Sequence, residues 1–341
     1  MTKLFLCLTV LISTCAACSK GDSGLPTNTD PPSNLIVAAV VNADNSGNVA
    51  FTASATNAIT YDYDFGNGIF QTVPSGIVTY KYPAAGTYIV NVIAKSAAGK
   101  IISQSTTVTV TVTMSLVFSD EFDTPGAPDA SKWGYDIGGG GWGNNELEYY
   151  TSRSNNVTVS NGTLKITAIK ENYSGSTYTS TRMLSQNKFS FKYGKIEVRA
   201  KLPAGAGTWP AIWMLGSNIS NTAWPACGEV DIMETKGSDP NKIYSTFHYP
   251  GHSGGTADGN TLIISNATTA FHIYSAEWSA SSIKLLVDGQ LIHTLANTSS
   301  LPFNQNFFII LNVAMGGNFT GAIDPAFTSS SMEIDYVRVY Q

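Results

Sequence analysis

Charge is scarce in this 341-residue chain: 13% of its residues are charged, with 24 acids against 19 bases. No basic cluster or arginine-rich stripe occurs, so a nucleic-acid partner is not expected. Cysteine is scarcer still. Of the four cysteines, Cys7, Cys15 and Cys18 fall in the first 18 residues. Removal of a leader there would leave only Cys18 and Cys227, too few for an internal disulfide framework. Long apolar runs are also missing; the stretch at 4–12 is too short to span a bilayer. No long amphipathic helix is legible either, which argues against a helical bundle. What is plentiful is glycine (31), tyrosine (16), serine and threonine, the mark of a β-rich exported protein.

Residues 1–18 have the form of an export signal, with Lys3 ahead of the apolar run. The closing Cys15-Ala16-Ala17-Cys18 resembles a bacterial lipobox, although Cys15 stands where leucine is usual. That resemblance implies a lipid anchor on Cys18 as the chain's only membrane contact, in the outer membrane of a Gram-negative bacterium. Plain secretion is the alternative. Residues 19–34 are a polar, proline-bearing linker with nothing to bury. Over 35–113 the pattern predicts short strands at 35–41, 49–55, 60–65, 76–82, 86–94 and 103–112, hence an antiparallel sandwich. Tyr61-Asp62-Tyr63-Asp64-Phe65-Gly66-Asn67-Gly68 and the Tyr80–Tyr88 stretch resemble a PKD-type immunoglobulin-like domain. Asp62 and Asp64 read as turn caps rather than as a metal loop.

Residues 114–341 also read as strands, among them 163–169, 194–202, 243–249, 271–278, 282–287, 307–314 and 332–340. A strand-only unit of that size fits a two-sheet jelly roll. Its most informative stretch is Gly228-Glu229-Val230-Asp231-Ile232-Met233-Glu234. Alternation puts Glu229 and Asp231 on one strand face. Glu234 is out of phase by one residue, and a β-bulge would return it to that face. Crowded carboxyls must share protons, which drives their pKa values apart, and glycoside hydrolysis needs one ionised and one protonated carboxyl. Trp209, Trp213 and Trp224 precede the acids, and flat rings suit the apolar faces of sugars. Cys227 reads as a buried small residue rather than a nucleophile.

Glu229-Val230-Asp231-Ile232-Met233-Glu234 resembles the E-x-D-x-x-E motif of glycoside hydrolase family 16 in its bulged, laminarinase-like form. Asp120–Asp123, Gly141–Tyr150, Tyr178–Arg182, Tyr193–Arg199, Thr246–Tyr249, Asn312–Gly317 and Asp335–Tyr340 extend the resemblance over the whole unit. It implies an all-β protein: an immunoglobulin-like sandwich, then a concanavalin-like jelly roll with a concave substrate cleft. By the same resemblance Glu229 is the nucleophile, Glu234 the general acid/base, and Asp231 tunes their protonation. Trp209 and Trp213 floor the cleft, Trp224 joins the substrate-binding set, Asn144 and Arg182 bind sugar hydroxyls, and His248 supports the acid/base region. Thr181 stands before Arg182 where the family often has glycine. A structural calcium is implied on the convex face, held by the carbonyls of Glu121 and Gly162 and the carboxylate of Asp335; no cofactor enters the chemistry.

The expected activity is a retaining endo-β-glucanase on β-1,3-glucan, with mixed-linkage β-1,3-1,4-glucan also open, in a monomeric protein. An agar-type galactan hydrolase of the same family and a non-catalytic glycan-binding surface protein are the alternatives. The second predicts loss of an acid, and none is lost. Gly251-His252-Ser253-Gly254-Gly255 matches the serine-hydrolase elbow in letters only, since a loop, not a helix, follows it.

Overall fold

The structure is a computed structural model and describes residues 30–341. The export signal, Cys18 and most of the 19–34 linker lie outside the described residues. Among the described residues no helix is long and apolar enough to cross a membrane.

Residues 33–110 form two antiparallel sheets. One joins Ser33–Val41, Asn48–Thr56 and Ile77–Lys81; the other joins Phe70–Val73, Thr60–Asp64, Gly86–Lys95 and Ile101–Val110. Alternation in Tyr61-Asp62-Tyr63-Asp64 turns the tyrosines inward, where Tyr63 packs with Phe51, Phe65, Val90 and Val92. The buried hydroxyls are satisfied: Tyr63 donates to the Gly76 carbonyl at 2.6 Å and Tyr82 to that of Phe65 at 3.0 Å. Asp64 caps its turn by accepting the Gly66 N–H at 2.9 Å. Asp62 does not; it takes the Thr72 hydroxyl at 2.8 Å and pairs with Lys95 across the sheet. The Phe70–Val73 strand was not legible in the sequence, because its first three residues are exposed and show no alternation.

The remaining residues form a larger two-sheet sandwich. A seven-stranded sheet runs in the order Asp258–Ile263, Asp239–His248, Glu229–Lys236, Thr208–Gly216, Phe307–Met315, Arg182–Leu184, Gly134–Asp136. A ten-stranded sheet lies behind it, with Thr163–Tyr173, Ser329–Tyr340 and Gly194–Lys201 as adjacent strands. Ile212, Met214, Val230, Ile232 and Met233 from the first meet Ile166, Ile196, Val198, Ile334 and Val337 from the second in one core. Each such side chain, once buried, contributes roughly 1.5–3 kcal/mol. The opposite face of the seven-stranded sheet is left for the cleft. The Ser329–Tyr340 strand starts three residues before the expected 332, because its serines extend the ladder through polar contacts. Ser331 and Thr167 hydroxyls meet at 2.8 Å across it.

Candidate active site

The three acids sit on the Glu229–Lys236 strand, and its pairing shows how they share a face. Against the neighbour Thr208–Gly216, Asp231 pairs with Trp213 and Met233 with Ile212, so one residue is extra between them. The bulge expected from the spacing is there, at Ile232. A bulge frees backbone groups from the ladder, and the Ser245 hydroxyl answers this one by donating to the Ile232 carbonyl at 2.7 Å. Glu229, Asp231 and Glu234 all line one cleft of about 1230 Å³. Gly228 makes the turn into the strand at φ +79°; a Cβ there would also press on Phe307 and Pro302.

Each outer acid accepts an indole N–H. Trp209 Nε1 donates to Glu234 Oε1 at 2.8 Å, and Trp224 Nε1 to Glu229 Oε2 at 3.0 Å. His248 pairs opposite Glu229 on the Asp239–His248 strand. Its Nε2 lies 3.1 Å from Asp231 Oδ2 and 3.6 Å from Glu229 Oε1. The resemblance placed His248 with the acid/base; its contacts are with Asp231 and Glu229, because register sets it across from residue 229. Asp231 Oδ2 is buried and makes no hydrogen bond among the described residues, so its contact with His248 is one of charge and proximity. The Gly254 N–H donates to His248 Nδ1 at 3.3 Å, so the ring proton belongs on Nε2, facing the acids. This is what the Gly251–Gly255 segment does here: a short 3₁₀ turn, Gly254–Thr256, buttresses the histidine.

Burial raises the proton affinity of all three acids, Glu229 and Asp231 well above the ordinary carboxyl range. At Glu229 repulsion from Asp231 adds to burial, and at Asp231 repulsion from Glu234 does so. Burial and mutual repulsion thus both oppose three simultaneous negative charges in the cleft. The direction at Glu229 opposes a nucleophile's need for charge; the adjacent His248, the Arg182 guanidinium and the Trp224 N–H favour its ionised form.

One wall of the cleft is aromatic and cationic. The Arg182 guanidinium lies 4.7 Å over Trp213 and 5.1 Å over Trp142, and its Nε is 3.0 Å from Asp136 Oδ2. Trp213 Nε1 donates to Asn312 Oδ1 at 2.8 Å. Asn144 lines the same wall and donates to Glu146 at 3.1 Å. Toward the other side, Phe319 packs on Trp209 at 4.9 Å and on Tyr244 at 5.1 Å. Trp142, Glu146, Asn312, Tyr244 and Phe319 were not singled out from the sequence. Trp142 and Phe319 sit in glycine-rich segments, and an aromatic flanked by glycines was the available signal. Cys227 is buried and its thiol is pushed up to about 11, chiefly by burial, as suits a packing residue.

Glu229, Asp231 and His248 present ligand atoms within 4.8 Å of one another. The convex-face set is separate. The strand Leu116–Asp120 and the strand Thr163–Tyr173 pair with successive parts of Ser329–Tyr340: Asp120 with Val337, Leu164 with Ile334. Glu121 and Gly162 therefore flank Asp335 from adjoining strand ends. The Glu121 side chain is taken by Arg338 at 2.8 and 3.0 Å, leaving its carbonyl, and Asp335 Oδ2 takes Arg199 at 2.5 Å, leaving its other oxygen. Two carbonyls and one carboxylate oxygen fit a hard, oxygen-seeking cation.

Comparison with known proteins agrees with this geometry. The family described as "Glycosyl hydrolases family 16" matches residues 144–338, which contain all three acids. The family described as "Beta-glucan synthesis-associated protein SKN1/KRE6/Sbg1" matches 54–230 and stops before Asp231 and Glu234. The chain is 43% identical to the "Beta-glucanase" of Rhodothermus marinus over 242 residues, 66% of this chain and 85% of that one. It is 35% identical to "Glucan endo-1,3-beta-glucosidase A1" of Niallia circulans, covering 67% of this chain but 38% of that longer protein. The solved catalytic domain of a laminarinase from Thermotoga petrophila RKU-1 superposes with TM-score 0.64 at 44% identity, over 67% of this chain and 98% of that one. The chain belongs to glycosyl hydrolases family 16.

Proposed function

We propose that the protein is a retaining endo-β-glucanase that cleaves β-1,3-glucan and accepts mixed-linkage β-1,3-1,4-glucan. The observation that carries the mechanism is the bulge at Ile232, which brings Glu229 and Glu234 to one cleft, each beneath an indole N–H. Glu229 attacks the anomeric carbon while Glu234 gives its proton to the departing glycosidic oxygen. Glu234, now a carboxylate, takes a proton from water, whose oxygen displaces Glu229 from the glycosyl-enzyme and regenerates both groups. Asp231 and His248 hold the charge balance between them. Trp213, Arg182, Trp142 and Asn144 form the wall for one arm of the glucan, Trp209, Phe319 and Tyr244 for the other. The β-1,3 preference is drawn from the endo-1,3-β-glucanase and laminarinase relatives. The test is product profiling on laminarin, cereal mixed-linkage glucan and agarose, with the anomeric configuration of first-formed product followed by NMR. Inverted product would overturn the mechanism, and preference for agarose the substrate.

We further propose that residues 35–113 are a PKD-like spacer and 114–341 the catalytic unit, supported by their separate sheets and separate cores. The carbonyls of Glu121 and Gly162 with Asp335 would hold a calcium ion, which would pin strand ends and take no part in the chemistry. Chelation lowering the melting temperature, restored by calcium, tests that site. The lipobox-like sequence supports lipid anchoring at Cys18, tested by mass analysis of the exported protein.

A further inference from the structure

Behind the arginine–tryptophan wall runs a chain of hydrogen bonds whose direction can be read. Trp213 Nε1, which can only donate, gives to Asn312 Oδ1 at 2.8 Å. That fixes the Asn312 amide, whose Nδ2 then gives to the Tyr150 hydroxyl oxygen at 3.1 Å. The Tyr150 hydroxyl is buried and gives its own proton to Glu146 Oε2 at 3.0 Å. The other Glu146 oxygen accepts from Asn144 Nδ2 at 3.1 Å. A donor-only indole at one end and a carboxylate accepting through both oxygens at the other permit a single polarity for the whole chain.

We propose that Glu146 is a positioning residue: its carboxylate anchors this one-way relay and so holds both Trp213 and Asn144 in their cleft-facing poses. The substrate effects rest on the glucanase reading above; the relay itself does not. Two features support an anionic anchor. Glu148, fully buried beside Glu146, has its proton affinity raised well above the ordinary carboxyl range, first by burial and then by Glu146, while its Oε2 accepts the Met315 N–H at 2.6 Å. Glu146 also reaches the acid/base through space. Glu146 and Glu234 line the same cleft, and the proton affinity of Glu234 is raised by burial and by the charge of Glu146 and lowered by Trp209, His248 and Lys236, while Glu229 and Asp231 on its own strand repel it. One carboxylate thus sets the pose of the wall and favours the proton on Glu234.

Two variants separate these effects. Tyr150→Phe cuts the relay and keeps the charge; Glu146→Gln keeps the shape and removes the charge. Losing one hydrogen bond of about 1 kcal/mol predicts a KM for laminari-oligosaccharides raised roughly fivefold in Tyr150→Phe, with kcat and the alkaline limb of the pH profile in place. Glu146→Gln should raise KM and also move the alkaline limb to lower pH, and Glu146→Asp should return the limb toward the wild type. The relay is also read without substrate, from the indole N–H resonance of Trp213, assigned with Trp213→Phe; it should shift in Tyr150→Phe and Glu146→Gln. An unmoved resonance in both folded variants overturns the relay, whatever the substrate proves to be. An alkaline limb that moves equally in Tyr150→Phe overturns the charge effect. A wild-type enzyme inert on laminarin would sink the glucanase reading alone, with the resonance still deciding the relay.

Discussion

At Glu229 and Glu234 the same residue type is asked for opposite states, and the structure distinguishes them by neighbours. Glu229 has the Trp224 N–H and His248 beside it, while Glu234 has the Trp209 N–H and feels the charge of Glu146; burial raises the proton affinity of both. Glu229→Gln should therefore cut turnover by several orders of magnitude yet keep oligosaccharide affinity, measured by calorimetry; near-normal turnover would remove Glu229 from the nucleophile's role. A stability effect follows from the buried acids. Glu148 has its proton affinity raised well above the usual 4.5, first by burial, so it adds full stability only while the unfolded carboxyl is also protonated. That stability is lost as pH rises from there toward the folded value, and the cleft acids act in the same direction. The melting temperature should fall as pH increases from the mid-4 range, and Glu148→Gln should flatten the fall. Parallel melting curves for the two proteins would contradict this. The acids were legible because carboxylates alternating with apolar residues are rare in a weakly charged chain. Glu146 and Glu148 were not, since nothing local in Glu146-Leu147-Glu148-Tyr149-Tyr150 says which acid turns inward.

A single element, the bulged strand, decides whether those residues meet. Its spacing was readable because Glu234 is out of alternation with Glu229 and Asp231. The stabilising partner was invisible, because Ser245 lies on the next strand and only the register brings its hydroxyl to the Ile232 carbonyl. Removing that donor should leave a buried carbonyl unsatisfied, at a cost of about 1–3 kcal/mol. Ser245→Ala should lower the melting temperature and also kcat, with KM little changed, because the relative placement of Glu229 and Glu234 loosens while the binding walls stay. Unchanged kcat in the destabilised variant would show that the bulge keeps its shape unaided. The same logic explains the missed strand. Phe70–Val73 is held to Thr60–Asp64 by the backbone ladder and by the Thr72 hydroxyl on Asp62, neither of which writes an apolar alternation into its exposed first three residues.

The whole molecule joins two sandwiches across one residue. Thr113 donates its N–H to the Asn45 carbonyl at 2.9 Å, in the first sandwich, whereas Ser115 exchanges hydrogen bonds with Gln341, in the second, at 2.7 and 3.0 Å. Met114 alone lies between these anchors. The first sandwich buries its own core of Val49, Phe51, Tyr63, Phe65 and Val92, and the residues lining the cleft all follow Met114. The strand Leu116–Asp120 pairs with the C-terminal Ser329–Tyr340 strand, so a chain starting at Met114 retains every strand of the catalytic sandwich. Such a chain should fold and cleave soluble β-1,3-glucan at close to the full-length rate, measured by reducing-end release. A loss confined to insoluble glucan would assign polysaccharide binding to the first sandwich. Failure on short soluble oligosaccharides by a truncated protein that melts cooperatively would mean the cleft needs the first sandwich in place. The separation of binding and catalysis along the chain would then be wrong.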